Sequence, residues 1–216
     1  MNSRALGAKP ISLLLGAVAL LASSIALPTA GNAVTFDLTS DHCEGGCGTA
    51  PFGTVSVTQA GANVNLVVDL ANGPPNTVSW AQVGDADFQL FKFNATGVAV
   101  GDISVTQTFL GNTLQANFGT FNGDGTGPFS LGISCTTCGN GNLGITSDLV
   151  FSIANATIAE VTAANNLGNI FVADVLDTTG NTGPVATPLP AALPLFASGL
   201  GALGLLTWPR KRKAAA

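Results

Sequence analysis

Val55-Ser56-Val57-Thr58-Gln59-Ala60-Gly61-Ala62-Asn63-Val64-Asn65-Leu66-Val67-Val68-Asp69-Leu70 is the stretch that decides the fold. Val55 and Val57, then Val64, Leu66, Val68 and Leu70, recur at every second residue, so an extended backbone puts them on one side of a pleat. Asn72-Gly73-Pro74-Pro75-Asn76 is the turn that ends the second strand. The same period runs outward along the chain. Val78 and Trp80 mark another strand, and Phe88 and Leu90 change phase to Phe91 and Phe93, which fits a bulge or a strand buried on both faces. Ile103, Val105, Gln107 and Phe109 read as one strand, joined through Gly111-Asn112 to Leu114, Ala116 and Phe118 as an antiparallel hairpin. Phe129, Leu131, Ile133 and Cys135 alternate in turn, followed by Leu149, Phe151 and Ile153, and then by the continuously apolar run 170–176, suited to a central strand. Only 158–166 offers a helical spacing, through Ile158, Val161 and Ala164. About ten short strands without a sustained helical period predict an all-β fold, an antiparallel β-sandwich of jelly-roll type.

Charge is distributed very unevenly. Six of the seven basic residues lie near the ends, at Arg4, Lys9, Arg210, Lys211, Arg212 and Lys213, while all twelve acids lie between Val34 and Thr187. Lys92 is the single base of that middle region, which therefore carries about eleven net negative charges. Nucleic acid is excluded as a partner, because phosphate binding needs clustered cations. Divalent cations, neutral glycans and other surface proteins fit this charge.

The two ends read as addresses. Arg4 and Lys9 precede an apolar run from Ile11 to Leu27 and then Pro28-Thr29-Ala30-Gly31-Asn32-Ala33, the three parts of a cleaved secretory signal over 1–33, so the Sec machinery and signal peptidase are expected partners. At the other end Ala191 to Trp208 is an uncharged stretch of eighteen residues, at the lower limit of the roughly 17–25 that cross a bilayer. Arg210, Lys211, Arg212 and Lys213 hold its far end in the cytoplasm by the positive-inside rule. The expected division is a signal peptide at 1–33, a β-sandwich ectodomain at 34–177, a flexible linker at 178–187 rich in Thr, Gly and Asn, and a tail at 188–216.

Thr187-Pro188-Leu189-Pro190-Ala191, with Leu193-Pro194-Leu195-Phe196, Gly199-Leu200-Gly201, Leu203-Gly204-Leu205-Leu206 and the basic end, resembles the VPLPA variant of the PEP-CTERM sorting signal. That resemblance implies recognition by an exosortase, a membrane cysteine peptidase of Gram-negative bacteria that export exopolysaccharide. Thr187 stands where Val is usual in the motif, Leu189 where the parent form has Glu, and Pro209 intervenes before the basic cluster. The segments 40–48, 132–139 and 180–186 also resemble a recurring group of exported proteins bearing such tails, which implies a cell-surface role and no particular chemistry.

Cys43 and Cys47, and Cys135 and Cys138, form two close pairs. In an exported chain an even count reads as disulfides. Three connectivities are open, and two local bridges are favoured. The rival arrangement is a zinc site of four thiolates with His42 as a spare ligand. His42 is the only histidine, so any Ser-His-Asp or Cys-His mechanism must use it, yet no G-x-S-x-G elbow accompanies it. Asp85, Asp87 and Asp124 are the candidate oxygen ligands for Ca²⁺, although no complete EF-hand loop is present. No catalytic or cofactor-binding residue is assigned. The expectation is a non-enzymatic surface or matrix protein, exported, held at the inner membrane and then processed by exosortase, with exopolysaccharide as a candidate partner. A Ca²⁺-assisted carbohydrate-binding module is the alternative, and a secreted hydrolase stands behind both.

Overall fold

The computed structural model describes residues 32–82, 87–136, 138 and 142–189. Of the expected signal peptide at 1–33, residues 1–31 lie outside the described residues and Ala33 opens β1; of the expected tail at 188–216, the part from Pro190 onward, with its apolar stretch and basic end, also lies outside them. In chain order the strands are β1 (Ala33–Asp37), β2 (Ser40–Asp41), β3 (Gly53–Ala60), β4 (Asn63–Leu70), β5 (Asn72–Gly73), β6 (Asn76–Ala81), β7 (Phe91–Phe93) and β8 (Ile103–Ser104). There follow β9 (Thr108–Phe109), β10 (Asn112–Gly123), β11 (Gly127–Cys135), β12 (Asn142–Ile145), β13 (Leu149–Ile153), β14 (Asn169–Asp177) and β15 (Thr182–Pro188). Among the described residues helix is confined to a 3₁₀ turn at Val100–Asp102 and one α turn, α1 (Ile158–Val161). Thr157 and Glu160 start α1 as a reciprocal capping box.

The strands form two antiparallel sheets. The first has the order β1-β3-β4-β13-β8. The second is built on β14, whose one edge pairs with β15 from Asn169 to Leu176. Its other edge is shared by β7, opposite Phe171 to Ala173, and by β6, opposite Val175 to Asp177. From β7 the sheet continues through β11 and β10 to β9, while β15 pairs with β2, and β6 with β12 and β5. The second sheet curls into half a barrel. Beyond the end of β7 the β10–β11 tip meets the start of β14, where Asn165 and Asn169 donate to the Thr126 carbonyl at 2.7 and 2.9 Å.

One core is shared by both sheets, with Val55, Val57, Leu66 and Val68 on one side and Phe91, Phe93, Leu131 and Ile133 on the other. Aromatic rings join the two. Phe151 of the first sheet lies 5.9 Å from Phe91 and 5.5 Å from Phe93, and Phe36 meets Phe171 edge-on at 5.4 Å. Phe91, Phe93, Phe151 and Phe171 are buried, each stabilising the fold by about 1.5–3 kcal/mol, while Phe36 is partly buried.

The structure alters the sequence reading at three places. The stretch from Ile103 to Phe109 is two strands rather than one, because β8 pairs with β13 in the first sheet and β9 with β10 in the second, so the chain changes sheets between them. The hairpin turn has Leu110 and Gly111 at its centre, with φ of 50° and 80°, the conformation that matches strand twist. The third change is larger. The expected linker at 178–187 is instead a turn and β15, a strand buried from Gly183 to Thr187, because its backbone groups are paired with β14 on one side and β2 on the other.

The phase change around Leu90 proves to be both a bulge and a doubly buried strand. Leu90 donates to the Ile133 carbonyl, while Phe91 is itself paired with Ile133. All three residues of β7 are buried. Upstream, the backbone leaves the sheet after Ala81, and the Gln82 side chain takes a strand's place there. Its Nε2 donates to the Cys135 carbonyl at 3.0 Å, and its Oε1 accepts from the Cys135 N–H at 2.9 Å. Gln82→Ala orphans two buried backbone groups, and a loss of roughly 1–3 kcal/mol is expected in denaturant unfolding. Gln82→Glu, whose buried carboxylate would set a charged oxygen against the Cys135 carbonyl, is expected to lose at least as much.

Candidate functional site

The segments at 40–48 and 180–186 converge on one place, where the disulfide loop grips the turn and strand at 177–188. Asp41 begins it. Its Oδ1 accepts from the Cys43 N–H and its Oδ2 from the Cys47 N–H, both at 2.9 Å, so one carboxylate folds the loop whose ends the Cys43–Cys47 disulfide closes. The second bridge joins Cys135 to Cys138, so the cysteines pair locally. Among the described residues one metal-ligand type cluster occurs, Asp41 with Cys43 and Cys47. Its two sulfurs are bonded to each other, which removes them as thiolate ligands for zinc.

The folded loop continues the β2–β15 ladder beyond its last regular pair. His42 donates its N–H to the Pro184 carbonyl at 3.0 Å and Glu44 to the Thr182 carbonyl at 3.3 Å. Asn181 reaches back through Nδ2 to the Gly46 carbonyl at 2.8 Å. Contact is so close at Gly183 that a Cβ there would lie 2.7 Å from the Cys43 Cα, and its φ of 156° is one that side chains disfavour. Glycine is thus required at this crossing.

Asp177 fixes the other side of the turn. Its carboxylate accepts from the Thr179 and Asn181 N–H groups at 2.8 Å each and from the Thr179 hydroxyl at 2.7 Å. Burial alone would raise this carboxyl, but the hydrogen bonds from Thr179, Asn181 and Gly180 outweigh it and hold it below its ordinary value.

The remaining candidate residues are scattered. His42 Nε2 lies 2.9 Å from the Ser40 hydroxyl, a nucleophile and base two residues apart on the same strand face. The cavity nearest in sequence, about 510 Å³, is lined instead by Thr35, Phe36, Asp37, Thr39, Thr187, Pro188 and Leu189, so neither residue opens into it. Asp85 lies outside the described residues, and Asp124 sits in the β10–β11 turn. Asp87 pairs with a cation of the chain itself, since Lys92 Nζ stands 3.3 and 3.4 Å from its two oxygens. Lys92 is wholly buried, on the face of the second sheet that also carries the buried Val172 and Asp174. Of the residues expected to form a sorting motif, Pro188 ends β15 and Leu189 donates its N–H to the Gly168 carbonyl at 2.7 Å. Pro190 and Ala191 lie outside the described residues, as do Arg210, Lys211, Arg212 and Lys213.

Sequence reading did not single out Asp177, Asn181 and Gly183. The Asp-x-Thr-x-Asn spacing is a signal for a side-chain-capped turn, but its Thr-Gly-Asn composition also suits a linker.

Two outcomes follow from the grip. Gly183→Ala is expected to push β15 away from the disulfide loop and lower the unfolding midpoint, with increased hydrogen exchange at the Pro184 and Val185 partners in β2 and β14. Asp177 is held below its unfolded value, so its contribution is present above the unfolded carboxylate range and is lost as pH falls through the folded value. Thermal unfolding across that range is expected to show an acid limb that flattens in Asp177→Asn.

Compared with known proteins, the chain matches no family model, no curated protein and no solved structure.

Proposed function

We propose that this chain is an exported, non-enzymatic surface or matrix protein whose domain, read more finely as a jelly-roll-type sandwich, is delivered by its terminal addresses and cut free by an exosortase. The observation that carries the reading is the junction itself. β15 runs from the turn at 177–181, against which the disulfide loop packs, into Pro188 with Leu189 next, so the folded domain reaches the start of the expected motif without a spacer. Two disulfides in a domain of this size favour an oxidising compartment. The cavity of about 510 Å³ beside Thr187, Pro188 and Leu189 leaves one side of the motif's start open to a processing enzyme. Strong net negative charge suits a solvated surface layer.

Mass spectrometry of the mature protein tests the proposal. In cells with active exosortase the C-terminus is expected within or just after the Pro188–Ala191 motif, and in cells lacking the enzyme the tail is expected to persist. A mature chain that still ends at Ala216 in the presence of the enzyme would overturn the processing route.

A further inference from the structure

The lone lysine of the ectodomain is an unusual residue to find in an interior. Lys92 has no solvent exposure, and Asp87 beside it is 15% exposed. Burying an ion pair costs desolvation of both charges, which mutual attraction repays only with good geometry and further hydrogen bonds. A covalent amide between the same two side chains carries no charge at all. We propose that Lys92 and Asp87 are joined by an intramolecular isopeptide bond that the folded chain forms by itself.

The geometry contains the parts such a reaction needs. Nζ is nearly equidistant from the two carboxylate oxygens, at 3.3 and 3.4 Å, which sets it in front of the fork and close to Cγ. The Gln89 N–H donates to Oδ1 at 3.1 Å, where negative charge gathers when Cγ becomes tetrahedral. The turn is held in that shape. Gln89 Nε2 donates to the Asp87 carbonyl at 2.9 Å, and Phe88 between them takes a left-handed φ of 57°, uncommon for an aromatic residue. A pair fixed in this way reacts at a high effective concentration.

The step balances without an outside reagent. One proton passes from the ammonium to the carboxylate, leaving a neutral amine and a carboxylic acid. The Nζ lone pair attacks Cγ, and the oxyanion forms on Oδ1 under the Gln89 N–H. A second proton then moves from Nζ to the Oδ2 hydroxyl, which departs as water while the carbonyl reforms. One C–N bond is made, one C–O bond is broken and nothing is oxidised or reduced.

The sequence makes the test simple, because Lys92 is the only lysine or arginine between Lys9 and Arg210. Full-length chain is purified after folding, then denatured, reduced, alkylated and digested with trypsin. The expected result is an intact mass lower by one water, no cleavage after Lys92, and a fragment spectrum that places the link between Asp87 and Lys92. Asp87→Ala is expected to restore the full mass and cleavage. Should that variant fail to fold, the native chain decides alone. A native chain of full mass that is cut after Lys92 overturns the proposal, and so does a water loss that maps to any other residue, such as a cyclic imide.

Discussion

β14 is the constraint from which the rest of the molecule follows. It is buried from Asn169 to Val175 on both faces, so each of its backbone groups must find a partner within the protein. Three strands supply them. β15 takes one whole edge, and β6 and β7 divide the other because the chain between them leaves the sheet. The bulge at Leu90, the side chain of Gln82 lying in a strand's place and the curl of the second sheet all accommodate that division.

The same constraint explains how polar groups come to lie inside. A strand buried on both faces presents Val172 and Asp174 to one side and Phe171 and Ala173 to the other, and the neighbouring β7 presents Lys92 on the first of these sides. Polar residues buried there require specific partners. Gln82 and Asp87 are drawn from the loop that interrupts β6 and β7, so the interruption provides hydrogen bonds that an uninterrupted strand would not. On the far edge, Asn181 and Asp177 do comparable work for the turn into β15.

Much of this could be read in the sequence, for a local reason. A half-buried strand writes its burial into alternate residues, and Val64 to Leu70 or Phe129 to Cys135 display it without reference to anything else. The local cysteine pairs were the favoured one of three connectivities that the spacing leaves open. Where the reading failed, the deciding contact was distant. β15 contains Thr, Gly, Pro and Ala, residues whose burial depends on β2 and the disulfide loop more than a hundred residues earlier. Ile103 to Phe109 keeps perfect alternation through a change of sheet, because periodicity reports a side and not a partner. The buried lysine is the sharpest example. Its rarity was visible, but its isolation from solvent depends on a turn at Asp87 and on strands that precede and follow it in space only.

Withdrawing Lys92 from the surface leaves the described domain without a single exposed lysine or arginine. Its outer charges are therefore of one sign, and copies of the domain repel each other as like-charged colloidal particles do. At physiological ionic strength that repulsion reaches only about 8 Å. Two copies brought together would thus resist contact across a gap set by the surrounding salt, narrower in brine and wider in fresh water.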